Sequence, residues 1–319
     1  MKHARREMSV AVAILALAAV LAVAAPGYFS SANLRDLFLA NLPVLLIAVG
    51  ATLVILTGEI DVSVGSLFAV CSLVAGVSAT RGLPTMMAGL AACVAGAGLG
   101  AVNGSLVAYA GVPSIVVTLA SMVALRDGVR WITQGAWVVD LPADFQWLGV
   151  TPAAYLAILA CLGVSLLAAV AWSMRNVAAG RAVYMTGSNR EAARLAGIDT
   201  SAVRLSVFVV GGALVGLAAF VNAVRFNQIP PNTGLGLEMK VIAAVIVGGT
   251  AITGGRGTVA GTLLGVILLG AIGPALTFLG VSAYWERALH GAIILTAVVI
   301  DAIRGRTARS LSMLHATRA

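Results

Sequence analysis

Glu59 and Asp61 stand two residues apart in Leu56-Thr-Gly-Glu-Ile-Asp-Val-Ser-Val-Gly65, between apolar runs that carry no other charge. Paired carboxylates can hydrolyse a bound substrate, relay protons through a membrane, or begin a helix. Hydrolysis needs two acids flanking a bound bond, and no other residues here complete such a site. Proton relays place acids deep within a span, whereas the flanking runs put this pair at a span end. Asp61 precedes an expected helix start, and aspartate is a strong N-cap whose charge suits the positive helix end. The sequence therefore favours a turn and cap built from Gly58, Asp61 and Gly65, with a proton relay as the alternative.

A second polar stretch is Gly187-Ser-Asn-Arg-Glu-Ala-Ala-Arg-Leu-Ala-Gly197. Ser188 with Glu191 three residues later forms a capping box. Asn189, Ala192, Ala193, Leu195 and Ala196 continue a helix of about two turns, and Gly197 suits a left-handed stop. Arg190 and Arg194, four apart, are expected on one face. The helix is either a solvated connector or a docking surface for another protein.

The third stretch, Gly248 to Gly261, clusters Gly248, Gly249, Gly254, Gly255 and Gly257. The chain has no Gly-x-x-x-x-Gly-Lys-Ser/Thr pattern, so no Walker A phosphate cradle is encoded. These glycines read as a tight turn between spans. Thr258, Gly261, Thr262 and Gly265 follow with the small-residue spacing that lets helices approach closely.

Polar side chains inside the apolar runs are few: Asn103, Thr118, Ser121 and Asn222. They either hydrogen-bond across helices or line a hydrophilic substrate route. Arg126, Asp127 and Arg130 suggest an interfacial ion pair or a contact for a substrate-delivering protein. His290, four residues after Glu286, reads as packed or interfacial. Cys71, Cys93 and Cys161 show no metal-ligand spacing.

The elements that must hold these residues are membrane helices. Of 319 residues, 60% are hydrophobic and 10% charged, against about 25% charged in soluble proteins. Successive charge-free runs of spanning length, roughly 20 residues each, give an all-α polytopic protein of about ten helices. Residues 1–319 read as a single transmembrane domain with one large polar loop at 175–204. The first run looks like a signal peptide, but its long apolar region and Pro26 favour a retained helix. The net charge of +8 does not point to nucleic acid. Alternating spans put thirteen Lys and Arg on the N-terminal side and seven opposite, so both termini are expected in the cytoplasm.

These landmarks resemble the ribose-type permeases of ABC importers for pentoses and related sugars. The resemblance rests on Leu56–Gly65, Val102-Asn-Gly-Ser-Leu-Val-Ala108, Gly187–Gly197 and Glu238–Gly261. Glu59 departs from a position that is commonly neutral in that family. Pro230–Lys240 and the Tyr284-Trp285 pair look most like autoinducer-2 permeases, with rhamnose and pentose permeases as rivals. The resemblance implies an ABC importer permease fold in the bacterial inner membrane. It also implies a second permease subunit, identical or paralogous, and a periplasmic solute-binding protein. ATP and Mg would bind a separate cytoplasmic ATPase, and this chain would hold no cofactor or metal. Ser188–Gly197 would be the coupling helix that enters that ATPase. The competing class is an ion- or proton-coupled secondary carrier, which usually shows an acid in mid-span.

Overall fold

The computed structural model describes residues 2–282, 284–286, 288–293 and 295–296, with side chains from residue 7 onward. Among the described residues, eleven uninterrupted α-helices follow one another: α1 (Lys2–Ala24), α2 (Ser31–Leu56), α3 (Val64–Thr80), α4 (Thr85–Ala108), α5 (Ser114–Thr133), α6 (Pro152–Asn176), α7 (Ala178–Ser188), α8 (Arg190–Leu195), α9 (Thr200–Ala223), α10 (Leu237–Val247) and α11 (Val259–Phe278), and residues 285–286, 288–293 and 295–296 are also helical. No strand occurs among the described residues, only an isolated bridge between Val138 and Ile229. The basic C-terminal residues Arg304, Arg306, Arg309 and Arg318 lie outside the described residues, as does the end of the expected span at 288–300.

Among the described residues, six helices are long and apolar enough to cross a membrane: Glu7–Ala24 within α1, and α2, α4, α6, α9 and α11. The expected count of about ten is not reached by such helices, for three reasons. α3 has 17 residues, α5 carries Arg126, Asp127 and Arg130, and α10 has only 11 residues. At 1.5 Å per residue α10 is about 16 Å long, half the roughly 30 Å hydrocarbon core.

α2 forms the centre; its residues from Leu42 to Leu56 are continuously buried. α4 and α9 make the most extensive pairing. Gly96 and Gly100 of α4 lie directly against the Phe208–Gly216 backbone of α9, with no room for a Cβ on either side. Without a hydrophobic drive between helices in lipid, such close backbone contact is what holds them.

Chain ends that alternate in sequence gather in space. Thr258 donates to the Glu7 carboxylate, Ile60 N–H to Ser114 Oγ at 3.1 Å, Gly255 N–H to the Leu56 carbonyl at 2.8 Å, and Tyr184 Oη to the Gly257 carbonyl at 2.9 Å. These contacts define a proximal end of the bundle. At the distal end Tyr28 packs edge-on against Phe278, and the Trp147 N–H reaches the Val224 carbonyl.

A proline and a turn inside the bundle expose backbone carbonyls, and arginines donate to them. Pro43 sits within α2 and has no N–H for the Leu39 carbonyl. Arg225 Nη1 donates to that carbonyl at 2.8 Å. Arg126, buried at 8% exposure, donates to the carbonyls of Thr233 at 2.8 Å and Gly234 at 3.4 Å. In an apolar medium each uncovered carbonyl would cost several kcal/mol.

Candidate functional site

The chain between α2 and α3 is unwound, and it organises the proximal end. Glu59 Oε1 takes Arg190 Nη2 at 2.7 Å and Arg204 Nε at 2.8 Å. Its side chain is 8% exposed, and that of Arg204 10%. The first contact is an aligned hydrogen bond, whereas the second is an ion pair without that alignment. Glu59 thus joins the break after α2, the start of α8 and the first turns of α9.

Arg190 belongs to α8, whose real start differs from the capping box read in the sequence. Ser188 closes α7, and Asn189, in extended conformation, caps α8 by accepting the Ala192 N–H at 3.0 Å. Ser188 cannot cap because Gly187 and Ser188 are pressed against Leu56 and Gly255. Glu191 faces Arg194 at 3.8 Å in solvent and does not reach back to the cap. The helix spans Arg190–Leu195, and Ala193 is buried beneath it. Gly197 follows with φ of 82°. Arg190 and Arg194, four apart on α8, differ in their partners: Arg190 reaches Glu59, while Arg194 faces Glu191 in solvent. Leu195 is 83% exposed, an apolar knob at the tip of the proximal end.

The glycine cluster lies beside this helix. Gly254, with φ of 83°, sits against Gly58, and Gly255 against Ser188. Gly248 packs on Gly261 and Gly257 on Thr250, while Gly249 has φ of 98°. Three turns that are distant in sequence therefore meet backbone to backbone.

Asp61 does not occupy the N-cap of α3. Ser63 does, and Asp61 Oδ1 accepts the Ser63 N–H at 2.8 Å and its Oγ–H at 2.6 Å. From Ser63 the network runs inward. Asn103 Nδ2 donates to Ser63 Oγ at 3.0 Å, and Ser121 Oγ donates to Asn103 Oδ1 at 2.6 Å. Thr118 Oγ1 donates to the Ser114 carbonyl at 2.8 Å and approaches the Ile60 carbonyl at 3.3 Å. Asn103 lies five residues before the end of α4 and Ser121 seven after the start of α5, about 8 and 10 Å along those helices. Asp61 is therefore inside the bundle, not at a span end as the charge pattern implied.

A second buried acid, Glu238, begins α10 beside Gly65, in contact too close for any side chain at residue 65. Its Oε2 has no hydrogen-bond partner among the described residues. The segment 225–236 thus re-enters the bundle, and α10 runs from the level of Gly65 to the proximal end. Sequence reading missed Glu238 and Arg204, and it gave Arg126 an interfacial role where the structure gives it the carbonyls of Thr233 and Gly234; each flanks a long apolar run and looked like an ordinary interface charge. The Arg130–Asp127 pair is present at 3.4 Å and exposed. Of the four path candidates, the structure joins Asn103, Thr118 and Ser121 around the break. Asn222 stands apart, on the wall of a distal cavity of about 600 Å³.

Comparison with known proteins gives a consistent set. A family profile described as branched-chain amino acid transport system / permease component matches residues 33–298. The autoinducer 2 import system permease protein LsrC of Yersinia pseudotuberculosis serotype O:1b is 37% identical over 296 residues, covering 93% of this chain and 84% of that protein. The namesake from Photorhabdus luminescens is 35% identical over 302 residues, covering 93% and 89%. That from Yersinia enterocolitica is 37% identical over 296 residues, covering 93% and 82%. No solved structure matches.

Proposed function

This chain belongs to the family of branched-chain amino acid transport system permease components; from that premise, we propose that it is the membrane subunit of an ATP-driven importer for a sugar-like solute, with autoinducer 2 the first candidate. Its relatives carry that solute in their names. Rhamnose and pentoses are the alternatives within the same reading.

The observation that carries the proposal is the ion triad of Glu59, Arg190 and Arg204. It fastens a small helix at the proximal end to an unwound segment that continues into the bundle through Ser63 and Asn103. A push on α8 is thereby passed to the packing of α3, α4 and α5 without any energy source in this chain. ATP and Mg would be bound by a separate ATPase subunit into which Leu195 and Arg194 project. A second permease subunit and a periplasmic solute-binding protein complete the assembly. Ten crossings follow if α3, α5, the 225–247 re-entrant segment and a last helix are added to the six long ones. The proximal end is then cytoplasmic, together with both termini and the 175–204 loop of this one transmembrane domain.

A second reading, an ion-coupled carrier, draws on Asp61 and Glu238, which are acids buried within the bundle. The two are separated by copurification. Replacing Leu195→Asp together with Arg194→Glu should abolish capture of the ATPase subunit while leaving the melting temperature of the chain unchanged. Undiminished capture would remove α8 as the docking element.

A further inference from the structure

Two cavities adjoin at the distal end, one of about 600 Å³ and one of about 360 Å³. They share Asn222 and Thr233 as a common wall. The smaller faces the 226–230 loop and Trp137, and the larger extends between α2, α3 and α10.

Two buried polar atoms on these walls have no hydrogen-bond partner among the described residues, and a half-buried amide stands between them. Ser72 Oγ, on the smaller cavity, is buried and unbonded. The Asn222 amide between the two makes no side-chain hydrogen bond. His290, only 5% exposed, lines the larger cavity with Nε2 unbonded. Unpartnered buried polar groups are costly in an apolar medium. Two such atoms on adjoining cavities, with the half-buried Asn222 amide between them, mark a place where a hydrogen-bonding guest supplies what the protein does not.

The charges on the wall cancel. Lys240 Nζ lies 3.6 Å from Glu286 Oε1, and the Glu286 carboxylate rests against Gly273 of α11. The remaining lining from α2 and α3 is largely apolar. Such a site selects neither cation nor anion, but suits a compact molecule with hydroxyls on one side and C–H surface on the other. A hydroxyl both donates and accepts, which matches serine, amide and imidazole nitrogen together. The combined space falls within the range of small-molecule sites.

We propose that these joined cavities are the solute-binding vestibule of the permease, with Asn222 as the shared contact and Ser72 and His290 as the groups that read an uncharged, hydroxyl-bearing solute. The proposal rests on the importer reading above. It places solute recognition in this chain as well as in a solute-binding protein.

The test uses the complete importer in proteoliposomes with autoinducer 2 as the probe. Ser72→Ala and Asn222→Ala should each lower the solute moved per ATP hydrolysed by about three- to tenfold, the worth of one hydrogen bond, with ATPase activity retained. In parallel, Asn222→Cys should react with a water-soluble methanethiosulfonate and be slowed by the probe, while buried Cys71 stays unlabelled. Unchanged solute per ATP in both alanine variants would overturn the proposal. So would an Asn222→Cys variant that is unreactive, or one that the probe does not protect. Should the unmodified importer show no ATP-dependent uptake, the importer reading falls by itself, and the labelling still decides the vestibule.

Discussion

Arg190 Nη2 lies 2.7 Å from Glu59 Oε1 across 131 positions of sequence. Few contacts in the molecule join a surface helix to the interior so directly. Glu59 also holds Arg204, so a single carboxylate compensates two guanidinium groups, one of them almost fully buried.

Removing that charge should be costly. Glu59→Gln leaves Arg204 buried without its counter-ion, and breaking one side of a buried pair costs about 3–5 kcal/mol. Thermal unfolding in detergent should show a clearly lowered midpoint. Arg194→Glu, whose partner Glu191 is exposed, should leave it unchanged.

Asn103 bridges Ser63 and Ser121 at 2% exposure. Asn103→Ala leaves the half-buried Ser121 hydroxyl without its acceptor and takes one of two partners from the buried Ser63 hydroxyl, and should destabilise the protein by about 1–3 kcal/mol. The same unfolding measurement checks this. An unchanged midpoint would mean that the network does not hold the unwound segment.

Asp61 separates the importer from a proton-coupled carrier. An asparagine Oδ1 accepts the same two bonds from Ser63 without placing a charge in the bundle. Asp61→Asn should therefore keep ATP-dependent uptake within about twofold, since neither hydrogen bond is lost. Loss of transport with normal folding would point to titration of Asp61.

Gly212 meets Gly96 backbone to backbone. Gly212→Leu must push α4 from α9, and because no flexible side chain can yield, a cost of at least about 3 kcal/mol follows. Size-exclusion chromatography should show little monodisperse protein. Gly128→Leu, where nothing lies near the added Cβ, should behave as wild type.

The helical class and the places where the chain breaks were legible because apolar runs, glycine clusters and polar loops are local signals. Gly197 and the glycines at 248–257 fall where turns were expected. The depth of the breaks was not legible. Asp61 looked like an end-of-span residue because its burial comes from Ser63, Asn103 and Ser121, which lie far apart in the chain. The segment 225–247 read as a loop and a span, yet α10 crosses only half the thickness. Arg126 and Arg225 were ambiguous for the same reason: their partners are backbone carbonyls, which no sequence pattern advertises. The α8 cap moved by one residue because close packing at Gly187 decided it, not the capping-box residues.

Energy entering from a separate protein through α8 is the central claim, and uptake in proteoliposomes tests it most directly. With the ATPase and solute-binding subunits present, autoinducer 2 should accumulate only when ATP is supplied, and the Leu195→Asp, Arg194→Glu variant should abolish that accumulation. Accumulation by this chain alone under an ion gradient, without ATP or partner, would contradict the account.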